Sequence, residues 1–277
     1  LSVAHPTMTA LISTFTTSPT VDTVQTVTLS ELVTVSGRVL LADGATPVKN
    51  APVKWLPVGV NGGLGYDAVT AYKTDDQGRY SIQVVPGTQG ELFVNTTRRP
   101  ATNELSDPQL PWGLYAGGTV TITTSRTIDI TLPAIQYLDY TVVEFASEEP
   151  VVGAKFVYGG LAENCSANRY TPFAGVTSPR CEFWPSGYSS NPVLSDSQGK
   201  AKIAVLAPSL FSNFTRYTFA VTHPIDNARV LTANATGATT SKLIMPGTPS
   251  KPEQPSATPL TNEVRLTWSE PWNGGAF

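Results

Sequence analysis

Asp75-Asp76-Gln77-Gly78-Arg79-Tyr80-Ser81-Ile82-Gln83-Val84 is the stretch from which the rest of this chain is read. Its first four residues are turn chemistry: an Asp carboxylate bonds backbone amides a few positions on, and Gly takes up a left-handed conformation at no steric cost. The next six alternate, placing Tyr80, Ile82 and Val84 on one side of an extended strand and Arg79, Ser81 and Gln83 on the other. Outward from this arm the same grammar continues. On the N-terminal side, Val33-Thr34-Val35-Ser36-Gly37-Arg38-Val39-Leu40 alternates up to the turn Ala42-Asp43-Gly44, and Ala51 to Trp55 and Val69 to Tyr72 are two further extended runs. On the C-terminal side, Glu91 to Val94, Thr119 to Ile122 and Thr127 to Leu132 follow the break Pro86-Gly87. Seven short strands at this spacing predict a β-sandwich. Val35, Val39, Val53, Tyr80, Ile82, Val84, Phe93, Ile128 and Ile130 are its expected inward side chains.

The pattern then repeats in diverged form. Asp196-Ser197-Gln198-Gly199-Lys200-Ala201-Lys202-Ile203 stands where Asp75 to Ile82 stood, preceded by Leu138 to Val143 and Pro150 to Phe156. Arg216 to Val221 and Thr239 to Pro246 then match Gly90 to Val94 and the strand closing at Pro133. Two tandem copies of one antiparallel sandwich are the economical reading: residues 30–134 and 136–246, after a Thr/Ser/Pro-rich arm or linker at 1–29.

Ser36-Gly37-Arg38-Val39, Pro47 to Val53, Thr74 to Tyr80 and Val84-Val85-Pro86-Gly87 resemble the carboxypeptidase regulatory-like domain, a transthyretin-like sandwich. The likeness covers most of 30–134 and carries over more weakly to 136–246, where the Gly of the first strand is missing. Beyond a Pro-rich linker, Pro255 to Thr258, Val264 to Trp268 and Pro271-Trp272-Asn273-Gly274-Gly275 resemble the start of a fibronectin type III domain within 247–277. The resemblances imply an all-β, transthyretin-like or Ig-like chain of non-catalytic spacer or binding modules, belonging to a protein that continues beyond Phe277.

Composition narrows the chemistry. Of the 277 residues only 14% are charged and the net charge is −3, so there is no excess of Lys and Arg to neutralise phosphates and a nucleic-acid partner is not expected. No run approaches the length of a membrane-spanning helix, and no membrane insertion is expected. With 2 His and 2 Cys, a four-ligand Cys zinc site or a His-rich metal centre cannot be assembled, and no metal or cofactor is expected. There is no nucleophile elbow, no paired-His metalloprotease motif and no phosphate-cradling loop. Asp75 to Gly78 has too few alternating oxygens for a calcium loop. Glu148-Glu149 before Pro150 reads as a turn, and His223 with Cys165 is a poor nucleophile pair beside a second Cys. A Lys–Asn isopeptide cross-link is not expected either, because the strands at 33–40 and 138–143 offer no Lys. The chain is therefore not expected to be an enzyme.

Cys165 and Cys181 read as a disulfide closing a loop in an oxidising compartment, or alternatively as two separate buried thiols. They lie in a surplus stretch between Lys155 and Asp196 that also holds Tyr170, Phe173, Phe183, Trp184 and Tyr188. A stapled aromatic protrusion is a candidate binding or assembly loop, and a loop folded back over a sheet face is the alternative. Trp112 and Tyr115, in Pro108 to Tyr115, are the corresponding candidates in the first copy. In the tail, Val264, Leu266 and Trp268 alternate with polar residues and leave an apolar face to be covered by an assembly partner. Four Asn-x-Ser/Thr sequons, at Asn95, Asn164, Asn213 and Asn234, do not discriminate between hosts.

The expected function is a structural or adhesive segment of a modular extracellular assembly: a surface appendage, a stalk, or a virion tail or capsid-decoration fibre. Its partners would be other subunits or modules, with cell-surface glycan or protein as a further class. The alternative is a glycan-binding accessory module of a secreted enzyme whose catalytic domain lies elsewhere.

Overall fold

A computed structural model describes residues 2–4, 12–14, 31–58, 72–96, 106–160, 163–166, 168–183, 192–247, 253–259, 261 and 263–269. Strands account for nearly all of its regular structure, and the described residues contain a single 3-10 turn, Pro208–Leu210. A short hairpin, β1 (Ser2–Ala4) and β2 (Ile12–Thr14), comes first. The first repeat supplies β3 (Val33–Leu40), β4 (Pro52–Pro57), β5 (Tyr72–Lys73), β6 (Arg79–Val84), β7 (Thr88–Asn95), β8 (Leu114–Ile122), β9 (Arg126–Thr127) and β10 (Ile130–Thr131). The second supplies β11 (Ile135–Glu144), β12 (Lys155–Tyr158), β13 (Glu163–Asn164), β14 (Thr177–Phe183), β15 (Val193–Leu194), β16 (Lys200–Leu206), β17 (Tyr217–Thr222), β18 (Val230–Ala235) and β19 (Thr239–Met245). A second hairpin, β20 (Glu253–Pro259) and β21 (Val264–Ser269), follows.

In the first sandwich a small sheet ordered β10-β3-β6, with β9 also on β3, faces a larger one running β8-β7-β4-β5; in the second, β16-β11-β19 faces β15-β12-β17-β18. Hairpin neighbours are antiparallel, but the closing strands β9, β10 and β19 lie parallel to the opening strands β3 and β11. They reach their neighbours by crossing over from the facing sheet, which a tight hairpin does not do.

The repeat extends to individual hydrogen bonds. Asp75 Oδ1 accepts from the amides of Gln77 (2.9 Å) and Arg79 (2.8 Å), and Asp196 Oδ1 accepts from Gln198 (2.8 Å) and Lys200 (2.9 Å). These carboxylates cap turns, as the sequence predicts. Gly78 and Gly199 follow at φ 73° and 72°, and a Cβ would stand 2.8 Å from the Val39 carbonyl oxygen in one copy and 2.4 Å from that of Val142 in the other. One residue before each Asp a buried hydroxyl bridges two segments: Thr74 accepts from the Ala51 amide and donates to the Val48 carbonyl, and Ser195 does the same with Ala154 and Val151. Neither hydroxyl is signalled by the sequence pattern, since a single Thr or Ser before a turn carries no periodicity.

All nine predicted inward side chains are buried, yet Phe93 lies on the other side of its sheet. Leu92 and Val94 flank it in the core, so the strand pleat turns Phe93 outward, where its ring stacks on Tyr115 at 4.5 Å between centroids. Both faces of β7 are buried, and its run of apolar residues does not reveal which face is which.

Candidate functional site

The surplus stretch of the second repeat is where the structure departs furthest from a simple tandem. β14 does not project. It pairs antiparallel with β8 of the first repeat, with Cys181 opposite Ala116 and Phe183 opposite Leu114, and β13 pairs on its other side. The larger sheet of the first sandwich thereby becomes six-stranded, in the order β13-β14-β8-β7-β4-β5. An edge that would otherwise present unpaired amides and carbonyls is filled by a strand from the neighbouring repeat.

Cys165 and Cys181 are joined in a disulfide with Cα atoms 5.1 Å apart, and the Cys165 amide donates to the Cys181 carbonyl at 2.8 Å. Arg180, next to the cystine, binds Glu182 at 2.7 Å and Glu91 of β7 at 3.4 Å, and its guanidinium lies 4.9 Å from the centre of the Tyr115 ring. Partial burial works against the Arg180 charge, but the Glu182 hydrogen bond and the two carboxylates outweigh it and hold the group above its ordinary range. Further along, the Thr131 amide donates to the Pro172 carbonyl at 2.8 Å and the Tyr170 hydroxyl donates to the Thr131 carbonyl at 3.1 Å.

These contacts favour the loop folded back over a sheet face and not an exposed aromatic protrusion. Tyr170, Phe173, Phe183 and Tyr115 are buried. Phe183 meets Tyr158 and Tyr217 at centroid distances of 5.8 and 6.1 Å. An aromatic side chain gains most when it is removed from water, and here the space between the repeats takes it up. Trp112 is half-buried and lines a 60 Å³ cavity between the repeats with Leu110, Phe156, Tyr158, Phe183 and Phe219. Trp184 and Tyr188 lie outside the described residues.

At the far end of the second repeat, Glu144 of β11 receives Arg229 and the His223 Nε2 (3.0 Å). His223 Nδ1 accepts from the amides of Ile225 (3.3 Å) and Asp226 (3.1 Å), which assigns the ring proton to Nε2. Arg229 also donates to the Pro246 carbonyl, fastening the chain where it leaves β19. The Arg229 hydrogen bond lowers the Glu144 pKa; burial opposes it, and His223 adds to the lowering. His223 thus orients a structural carboxylate, while Cys165 is committed to the disulfide.

The tail forms the hairpin β20–β21, its two strands paired with each other and with no other described strand. Val264 and Leu266 are 62% and 63% exposed, while the side chain of Trp268 lies outside the described residues. Among the described residues there is no cluster of His, Cys, Asp and Glu suited to a metal ion, and no helix long and apolar enough to cross a membrane.

No family model matches this chain, and no curated protein matches its sequence. Among solved structures, the shaft pilin SpaA of Lactobacillus rhamnosus GG matches at 13% identity over 77% of this chain and 97% of its own, with a TM-score of 0.34. GBS52, the minor pilin of Streptococcus agalactiae, matches at 11% identity over 81% of this chain and 99% of its own, with a TM-score of 0.33. A streptococcal ancillary pilin matches at 10% identity over 85% and 80%, with a TM-score of 0.28. Similarity this distant carries no argument about function, which rests on the chain's own residues.

Proposed function

We propose that this chain is a non-catalytic structural segment of a modular extracellular assembly, a surface appendage or stalk in which paired sandwiches supply reach and stiffness. The observation that carries the reading is the strand β14, given by the second repeat to the sheet of the first and closed at its base by the Cys165–Cys181 disulfide. Sandwiches joined by a free linker bend at the joint, whereas a shared sheet resists bending because several backbone hydrogen bonds must break together. A disulfide is compatible with an oxidising, extracellular location. The sandwiches take the boundaries 30–134 and 136–246, with the insertion of the second docked on the first. The hairpin in 247–277 begins a further module of fibronectin type III type, with partners drawn from the same assembly.

Immunogold labelling of intact source cells or particles with antibody to residues 30–246 tests this. Label spaced along a surface structure is the expected result. Label confined to the soluble secreted fraction, in association with an enzyme, would overturn it in favour of an accessory module.

A further inference from the structure

The outward face of the first repeat's small sheet carries an open basin of about 760 Å³, lined by Ser36, Arg38, Tyr72, Lys73, Arg79 and Thr127 among others. That volume lies within the range of ligand clefts, roughly 300–1,000 Å³. Arg38 and Arg79 are directly opposite on β3 and β6, and like charges in that register destabilise a sheet. The carboxylates at the rim are already engaged. Asp129 accepts from the Arg38 amide (2.8 Å) and guanidinium (3.2 Å), Asp75 caps its turn, and Asp76 pairs with Lys49 at 2.6 Å. The Arg79 guanidinium meets no carboxylate among the described residues.

The second repeat provides an internal comparison. Its register places Thr141 opposite Lys200 and Asp139 opposite Lys202, where the first repeat has Arg38 opposite Arg79 and Ser36 opposite Ser81. In one copy an acid stands opposite a base in register, and the other has a hydroxyl floor beneath two arginines. The fold therefore does not require the arginine pair, and a locally unfavourable arrangement held on a rigid sheet is a feature to expect at a binding site.

We propose that this basin binds an acidic saccharide through a sugar carboxylate. The planar fork of Arg79, which meets no carboxylate among the described residues, matches a carboxylate in two parallel hydrogen bonds. Ser36, Ser81 and Thr127 face the ring hydroxyls, and the partly exposed Tyr72 ring is available for a sugar face. An acidic peptide would satisfy the arginine but would leave the hydroxyl floor without matching groups. The inference stands independently of the structural role proposed above, since it concerns one sheet face alone.

The test is a calorimetric titration of the full chain with a hyaluronan hexasaccharide, in which glucuronate alternates with a neutral sugar. Neutral chitohexaose and hexaglutamate serve as comparisons. Hyaluronan is expected to bind at least tenfold more tightly than either, and to weaken as salt is raised. Arg79→Ala, an exposed position, should weaken it at least tenfold, while Lys200→Ala, its counterpart in the second repeat, should leave it unchanged. No binding of hyaluronan, equal binding of hexaglutamate, or an Arg79→Ala protein that binds like the parent would each overturn the proposal.

Discussion

Gly37 faces Tyr80 across β3 and β6, and the corresponding pair across β11 and β16 is Tyr140 and Ala201, so the two copies exchange the large and small partners. The missing glycine of the second repeat is thus a repacking of one site. A Cβ on Gly37 would stand 1.8 Å from the Ile128 carbonyl oxygen, and the Tyr80 hydroxyl donates to that same oxygen at 2.6 Å. The Tyr140 hydroxyl is buried with no hydrogen-bond partner among the described residues. Urea unfolding should therefore separate two identical substitutions. Tyr80→Phe is expected to cost about 1 kcal/mol by losing a hydrogen bond, and Tyr140→Phe to be neutral or slightly stabilising because it removes an unpaired hydroxyl. Equal losses would contradict this assignment of partners. Glu144 gives a pH prediction at the same scale. Its folded-state pKa lies below the ordinary carboxylate value, chiefly through Arg229, so its contribution is present above that value and lost as pH falls through the folded pKa. Stability measured by urea from pH 6 down to pH 3 should decline less steeply in Glu144→Gln than in the parent, from a lower starting point.

β14 is the element the sequence conceals. Thr177-Ser178-Pro179-Arg180-Cys181-Glu182-Phe183 contains a proline and charges and does not alternate cleanly, and its register with β8 shifts between Thr177 and Arg180. A pairing between strands so distant in sequence leaves no trace in local periodicity. The repeats, by contrast, are legible because each turn is dictated by adjacent residues, an Asp that caps its own amides and a Gly that must be left-handed. The same logic explains why the cysteines are readable as a pair while the aromatics near them allow two readings: spacing suggests a bond, but burial depends on what lies opposite. Replacing both cysteines by Ser should cost about 3 kcal/mol in the chain-entropy account of a loop this size. Amide hydrogen exchange is expected to quicken in β13, β14 and the facing amides of β8, while β3, β6, β11 and β16 keep their protection. Uniform quickening throughout would mean that the disulfide supports global stability and does not specifically fix the shared edge.

Across the whole molecule, the two sandwiches are bound by a strand, a disulfide nearby and a continuous set of buried residues, whereas the tail hairpin pairs with no other described strand. A two-stranded ribbon is marginal in water, and Val264 and Leu266 present an apolar side to solvent. The chain is fastened before it leaves, since Arg229 holds the Pro246 carbonyl from a cluster that also binds Glu144. Among the described residues, no contact that holds the second sandwich together involves residues after Pro246. Deleting residues 247–277 should leave the urea midpoint and slope of residues 30–246 unchanged, and any self-association driven by the exposed strand should weaken with it. The slope is the discriminating quantity, because it follows the surface exposed on unfolding. A lower slope in the truncated protein would show that the tail buries surface against the sandwiches and belongs to their fold. An unchanged slope with diminished self-association identifies the hairpin as the place where this segment joins its neighbour.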